Sequence, residues 1–398
     1  MEIIFGNFEH DTKKLEAKFK KIEGFEEPEF ARYLPDTPFF EKTLRAYRKY
    51  SNIIVVGHGG SITSTQGIYG TLKKEGKKLF VIDTPEPDFI ARIKERCLKK
   101  DTIVLIVSKS GTNVDVLEIM MDFLDYPLLV VTNPETGTLL EICRRMKIDM
   151  IEHPNIGGRF SGFTSSTLVP CYLLGFDIEK LVLGAKDMYK KCSFTIGIRE
   201  NPALNIASSL YLADLDGKDE IFTPIYSKKM IDFSNLLIQL LHESSCKEGK
   251  GQTIYASSAP ESQHHTNQRF FGGKKNVCGL FITTSPKIQK NNMAIKIPKQ
   301  LKNIPLGNGT FGDLDKNRYS DVLMYEYLGV LEHAKKIKIP SIEIKMEKCD
   351  EYEIGQFIAL WQYIAVYASL LRDVNPFDQP EVEYAKKISF EMRKQKKR

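Results

Sequence analysis

The run VLIVSKSGTNVDVLEIM, residues 104–120, passes from four apolar residues into a hydroxyl-rich loop with one lysine, and then into a helical pattern. An unbroken apolar run marks a strand buried on both faces, as in a parallel sheet covered by helices. Behind the loop, Leu117, Met120, Met121 and Leu124 fall at i, i+3, i+4 and i+7, which predicts a helix turning that face inward. Between them, Ser108, Ser110 and Thr112 offer hydroxyls, Gly111 lets backbone come close, and Lys109 adds charge. All sit at a helix start, where unpaired N–H groups and the helix dipole favour an anion. A serine-rich capping turn would use the same residues, and this loop alone does not choose between the two.

The same strand-then-helix alternation continues on both sides. Apolar runs at 52–57, 79–83, 102–107, 127–132 and 148–152 are each separated by amphipathic stretches. A second series, EIFTPIY (220–226), GQTIYA (251–256), VCGLFIT (277–283), MAIKI (293–297) and SIEIKM (341–346), follows. Short apolar runs alternating with helical segments predict parallel sheets with crossover helices. The expectation is α/β: two doubly wound parallel-sheet domains, at 51–190 and 191–370. A helical lead-in covers 1–50 and a C-terminal helical segment covers 371–398. In the lead-in, Thr37 is read as an N-cap with Pro38 at the first helical position, and Phe40, Leu44 and Tyr47 as the apolar face.

Composition bounds the function. The 398 residues carry 57 basic and 51 acidic side chains, a net charge of +6, which suits a protein that captures small anions without demanding nucleic acid. Arg393, Lys394, Lys396, Lys397 and Arg398 read as a solvated helix end, since no interleaved aromatics support a nucleic-acid tail. The seven cysteines show no CxxC pair and read as buried reduced thiols. No secretory leader pattern opens the chain, and no stretch is read as approaching the roughly 20 apolar residues of a membrane span. A soluble cytoplasmic protein is expected.

Five further stretches could carry chemistry. VVGHGGSITST (55–65) is a glycine turn after the first strand, ending in Gly60 and Ser61. A dinucleotide fingerprint would need glycine where Ile62 stands, and no Gly-Lys-Ser/Thr follows for a triphosphate loop. A parallel sheet would set this turn beside the 108–112 loop, and together they describe a phosphomonoester pocket. Arg159 lies among glycines in NIGGRFSGFTSST (155–167), where its guanidinium could meet an oxyanion or simply face solvent. In the stretch 232–251, Gln239 and Glu243 stand four apart toward the end of an apolar helix, one above the other. Partial burial would tune the basicity of Glu243, although a solvated helix-end acid is the ordinary alternative. His264 and His265 are adjacent, a poor metal arrangement, so no metal site is expected and one of them suits acid or base work. Gln379 and Lys386 close the set, and by themselves read as surface residues.

In this order the stretches resemble the phosphoglucose isomerase family, built from two sugar-isomerase (SIS) domains of flavodoxin-like type. GHGGS matches its GxGGS turn, SKSGT its SK(S/T)xT phosphate loop and GGRFS its arginine signature. QLLHESSCK matches its Q-x-x-x-E-S-x-x-K helix end, PESQHH its Gln-His element, and FDQPEVEYAK its C-terminal signature. Asn113 and Asp115 depart from the usual Thr and Glu of the phosphate loop, His242 from Met, Ser245-Cys246 from Asn-Gly, and Pro380-Glu381 from an aromatic-glycine pair. The resemblance implies interconversion of glucose 6-phosphate and fructose 6-phosphate. Gly60, Ser61, Ser108, Lys109, Ser110, Thr112, Gln239 and Gln379 would bind the sugar phosphate. Glu243 would move the proton between C1 and C2, Arg159 would stabilise the cis-enediolate, and His264 and Lys386 would open the ring. It implies no cofactor and no metal, and a homodimer in which His264 crosses to the neighbouring site. A dual phosphoglucose/phosphomannose isomerase, and a non-catalytic SIS sensor of sugar phosphates, are the alternatives.

Overall fold

A computed structural model describes residues 1–8, 12–33 and 35–395. Lys396, Lys397 and Arg398 of the terminal basic cluster lie outside the described residues. Two five-stranded sheets form the framework. The first contains β2 (Asn52–Val56), β3 (Lys78–Ile82), β4 (Thr102–Ser108), β5 (Leu128–Thr132) and β6 (Met150–Glu152), all parallel, in the order β3-β2-β4-β5-β6. The second contains β7 (Glu220–Tyr226), β8 (Thr253–Ser258), β9 (Val277–Thr284) and β12 (Ser341–Met346), again parallel, with the N-terminal β1 (Glu2–Gly6) antiparallel on its edge. Its order is β1-β12-β9-β7-β8. A separate hairpin pairs β10 (Pro305–Leu306) with β11 (Gly309–Thr310). Among the parallel strands of both sheets the chain starts in the interior (β2, β7), adds one neighbour, then reverses past the start. The first therefore has the flavodoxin-like order with its switch point between β2 and β4.

Every residue of β4 is buried, as its unbroken apolar run requires. Four expectations are corrected. MAIKI is not a strand: Ala294 makes only an isolated bridge to Arg318. The lead-in is not wholly helical, because its first residues supply β1 to the distant second sheet. The cap before Pro38 is Asp36, whose carboxylate accepts from the Phe39 N–H, so the helix Thr37–Leu44 has Thr37 at its first position. The helix after β4, Val114–Met121, buries Val116, Ile119 and Met120, with Phe123 after it. Met121 and Leu124 are exposed. The two stripes overlap, and the one facing the sheet wins.

The helix Glu351–Leu371 answers the membrane question. At 21 residues it is long and apolar enough to cross a bilayer, contrary to the expectation that no stretch is, but 89% of its most apolar window is buried in the protein. It packs against the helices Ile178–Cys192, Pro202–Leu215 and Ser234–Ser245. Its Gln362 donates to the Phe160 carbonyl and accepts from Tyr189. One apolar core therefore runs from under the first sheet, at Ile53 and Val55, to the second, at Ile221 and Ile342. This continuous core fixes the two sheets against each other and sets the loops of one beside the helices of the other. All seven cysteines are free and all but Cys246 are buried; burial pushes the Cys97 and Cys143 thiols up to about 11, which leaves them protonated and inert.

Candidate active site

The turn after β2 and the loop after β4 lie side by side because β2 and β4 are hydrogen-bonded neighbours, with Val56 opposite Ile106. Gly59 has φ +51°, and a Cβ on it would sit 2.6 Å from the Gln239 amide nitrogen. A Cβ on Gly60 would fall 1.9 Å from the Gly158 carbonyl oxygen. The glycines thus let three separated segments, 57–61, 157–161 and the Ser234–Ser245 helix, close onto one point. Ser161 locks the contact by donating to the Gly60 and Gly158 carbonyls at 3.0 and 2.6 Å.

Arg159 holds the centre of that point, with its side chain only 3% exposed. Its Nε donates to Ser244 Oγ at 2.9 Å, and Nη1 donates to Glu243 Oε2 and Gln379 Oε1, each at 2.8 Å. Nη2 donates to the carbonyls of Pro376 and Asp378 at 2.8 and 2.7 Å. A planar fork with every donor engaged is fixed in orientation, which a lysine could not match. Burial draws the guanidinium below its ordinary value, and the Glu243 carboxylate works in the opposite sense. Glu243 remains about a third exposed, so it can meet a ligand. Gln239, one helical turn earlier, donates to its other oxygen at 3.0 Å and accepts from Thr63 at 3.3 Å.

The loop after β4 is open to solvent at Ser110 and Thr112. Ser108 is buried and accepts from the Gly111 N–H. Ser110 accepts from the Thr112 N–H and hydroxyl. Asn113 gives the following helix no side-chain cap, so first-turn N–H groups remain for an anion. Lys109 is half-buried, and its amine is drawn down by desolvation. Ser61 is part-exposed at the end of the glycine turn.

The fold thus brings together Gly60, Gln239, Glu243, Arg159 and Gln379, and sets the two loops side by side. It does not bring in His264 or Lys386. His264 is exposed on the short turn after β8, next to Gln263, which donates to Tyr226. Lys386 is exposed on the helix Glu381–Gln395 and pairs with Glu383 at 2.7 Å. Ser244 as a holder of Arg159, and the pairing of Lys247 with Asp378 at 2.7 Å, were not foreseen. Both residues stand in the helix-end motif, whose Ser and Lys positions were the available signal.

A flavodoxin-type sheet pair with an anion-ready switch point and a buried arginine on a carboxylate defines a sugar-phosphate isomerase fold. Solved structures share the fold. A hypothetical protein from Thermus thermophilus gives a TM-score of 0.84 at 20% identity, covering 98% of this chain and 99% of that one. A glucose-6-phosphate isomerase from Chlamydia trachomatis gives 0.75 at 17% identity, covering 96% and 75%. Among curated relatives, the glucose-6-phosphate isomerase of Methanocaldococcus jannaschii is 27% identical over 374 residues, 89% of this chain and 88% of the relative. That of Acholeplasma laidlawii is 25% identical over 375 residues, 88% and 85%. The family model for phosphoglucose isomerase matches residues 42–398, so the chain belongs to the phosphoglucose isomerase family.

Proposed function

We propose that this protein interconverts glucose 6-phosphate and fructose 6-phosphate by proton transfer through a cis-enediolate. The observation that carries the reading is the Arg159–Glu243 contact: a base candidate touches a buried, fully oriented cation. Glu243 takes the proton from C2 and returns it to C1, or the reverse. Negative charge then grows on the sugar oxygens, and the Arg159 guanidinium, already fixed by Ser244, Pro376, Asp378 and Gln379, needs no reorganisation to meet it. Ser61, Ser108, Lys109, Ser110 and Thr112 hold the phosphate, which positions the reacting carbons by its distant end. The family match and the relatives named glucose-6-phosphate isomerase support the substrate.

Ring opening is assigned to His264 and Lys386. His264 works at the site of a second subunit, which its exposed position permits, and the enzyme is a homodimer. Its substrate, a charged sugar phosphate that does not cross membranes unaided, supports a cytoplasmic location. The test is Glu243→Gln, which preserves shape and keeps one oxygen to accept from Arg159 or Gln239. Turnover is expected to fall by about 10²–10⁴-fold, the usual contribution of a general base, with exchange of the C2 hydrogen with solvent lost and sugar-phosphate binding kept. Turnover at the wild-type rate in that variant would remove Glu243 from the mechanism.

A further inference from the structure

His58, the variable residue of the glycine turn, does not enter the reading above. Its ring crosses from the loop after β2 to the first turn of the Val114–Met121 helix, where Nε2 lies 2.7 Å from Asp115 Oδ2. The nitrogen is sealed from solvent and the approach is off the hydrogen-bond line, so this is a charge contact and not an aligned hydrogen bond. Asp115 accepts from the Val116 N–H with its other oxygen at 3.1 Å, so a carboxylate stands at the mouth of a loop whose remaining open N–H groups await a dianion.

Resting on the reading of residues 108–112 as a phosphate loop, we propose that His58 is a positioning residue for the substrate phosphate. Its imidazolium cancels the Asp115 charge and ties the glycine turn to the phosphate-loop helix. An imidazolium here leaves the phosphate facing a neutral pair; a neutral ring leaves it facing a bare carboxylate. Asp115 holds the His58 proton more firmly than in a free histidine, Asp83 at the end of β3 acts in the same sense, and burial opposes both. Asp115 also senses Arg393 from the Glu381–Gln395 helix, whose guanidinium is bonded to Glu118. Because the histidine value is raised, the neutral pair holds below that raised value and is lost as pH climbs through it.

The experiment measures KM and kcat at pH 6.5, and the inhibition constant of sulfate from pH 6 to 9, for four enzymes. Sulfate keeps its charge across this range, whereas a sugar phosphate does not. His58→Asn is expected to raise KM and the sulfate constant about five- to tenfold, the scale of one lost charge-assisted contact, with kcat unchanged. In the wild type the sulfate constant rises as pH climbs through the raised His58 value; in His58→Asn that limb is absent. Lys109, drawn down by burial, acts alike in both enzymes. Adding Asp115→Asn to His58→Asn is expected to recover most of the affinity, which a merely structural tether would not do.

An unchanged KM in His58→Asn, or a double variant no better than the single one, overturns the proposal. Should His58→Asn not fold, Asp115→Asn alone decides, since removing the carboxylate that raises the histidine must move the limb to lower pH; an unmoved limb overturns the proposal. Ser110→Ala separates the two levels of the argument. If it leaves sulfate and substrate binding untouched, the phosphate-loop reading fails. If it weakens both while His58→Asn does not, only the role of His58 fails.

Discussion

His153 follows β6 directly and is 1% exposed, with Nδ1 donating to the Pro154 carbonyl at 2.7 Å. Burial is the main force on it, and the Lys109 charge adds to the effect, so its value falls to about 4 from an ordinary 6.5. Above pH 6.5 the ring is neutral in both folded and unfolded chains, and titration has no effect. Between 6.5 and 4 the unfolded chain takes up a proton that the folded chain refuses, so stability falls as pH falls. A gap of this size corresponds to about 3 kcal/mol lost by pH 4. Urea unfolding of wild type and His153→Gln across that window checks it: the variant lacks this part of the slope, and equal slopes would refute the assignment. His153 had no signature in the sequence, because a histidine's environment depends on segments far away in the chain. The Arg159–Glu243 contact joins residues 84 positions apart, so no local spacing could show it. Only the ordered motifs did, and they left His58 unread because it fills their free position.

Among the elements, buried strands were legible because they have no wet face to interrupt the apolar run. β1 was not, being a five-residue edge strand whose partner β12 lies more than 330 residues away. MAIKI alternates as a strand should, but pattern does not supply a neighbour. The C-terminal helix Glu381–Gln395 is the element whose role rested on the motif resemblance alone, and it is the one the fold supports least. It buries no residue, and it is pinned to the Val114–Met121 helix by the bidentate Arg393–Glu118 pair. The Lys386–Glu383 pair is exposed, and such pairs contribute about 0–1 kcal/mol, so little holds the lysine where it lies. A role for Lys386 in ring opening requires this helix to come to the substrate. Pulse acetylation of the free enzyme should therefore label Lys386 readily, and saturating fructose 6-phosphate should slow that labelling at least severalfold. If substrate protects Lys109 but not Lys386, the lysine stays at the surface and has no part in the chemistry.

At the scale of the whole molecule, the shared core makes the two sheets one body and completes the Arg159–Glu243–Gln239 cluster within a single chain. The histidine proposed for ring opening, His264, makes no hydrogen bond to that cluster within its own chain. His264 is exposed on the turn after β8, and its neighbour Gln263 is tied to Tyr226 and to the Glu326 carbonyl, which fixes the turn without covering the histidine. A closed two-fold dimer makes such an exchange reciprocal: each subunit lends its histidine and receives the other's. Reciprocity has a consequence that a monomeric site lacks. Glu243→Gln and His264→Ala are each expected to form inactive dimers. In a mixed dimer one site collects both defects, whereas the other combines an intact Glu243 with an intact His264. Denaturing the two variants together and refolding them one to one yields half mixed dimers on random pairing, each with one working site. About a quarter of wild-type activity should then return. If the refolded mixture is no more active than the variants kept apart, the histidine serves its own chain or none, and the shared site is wrong.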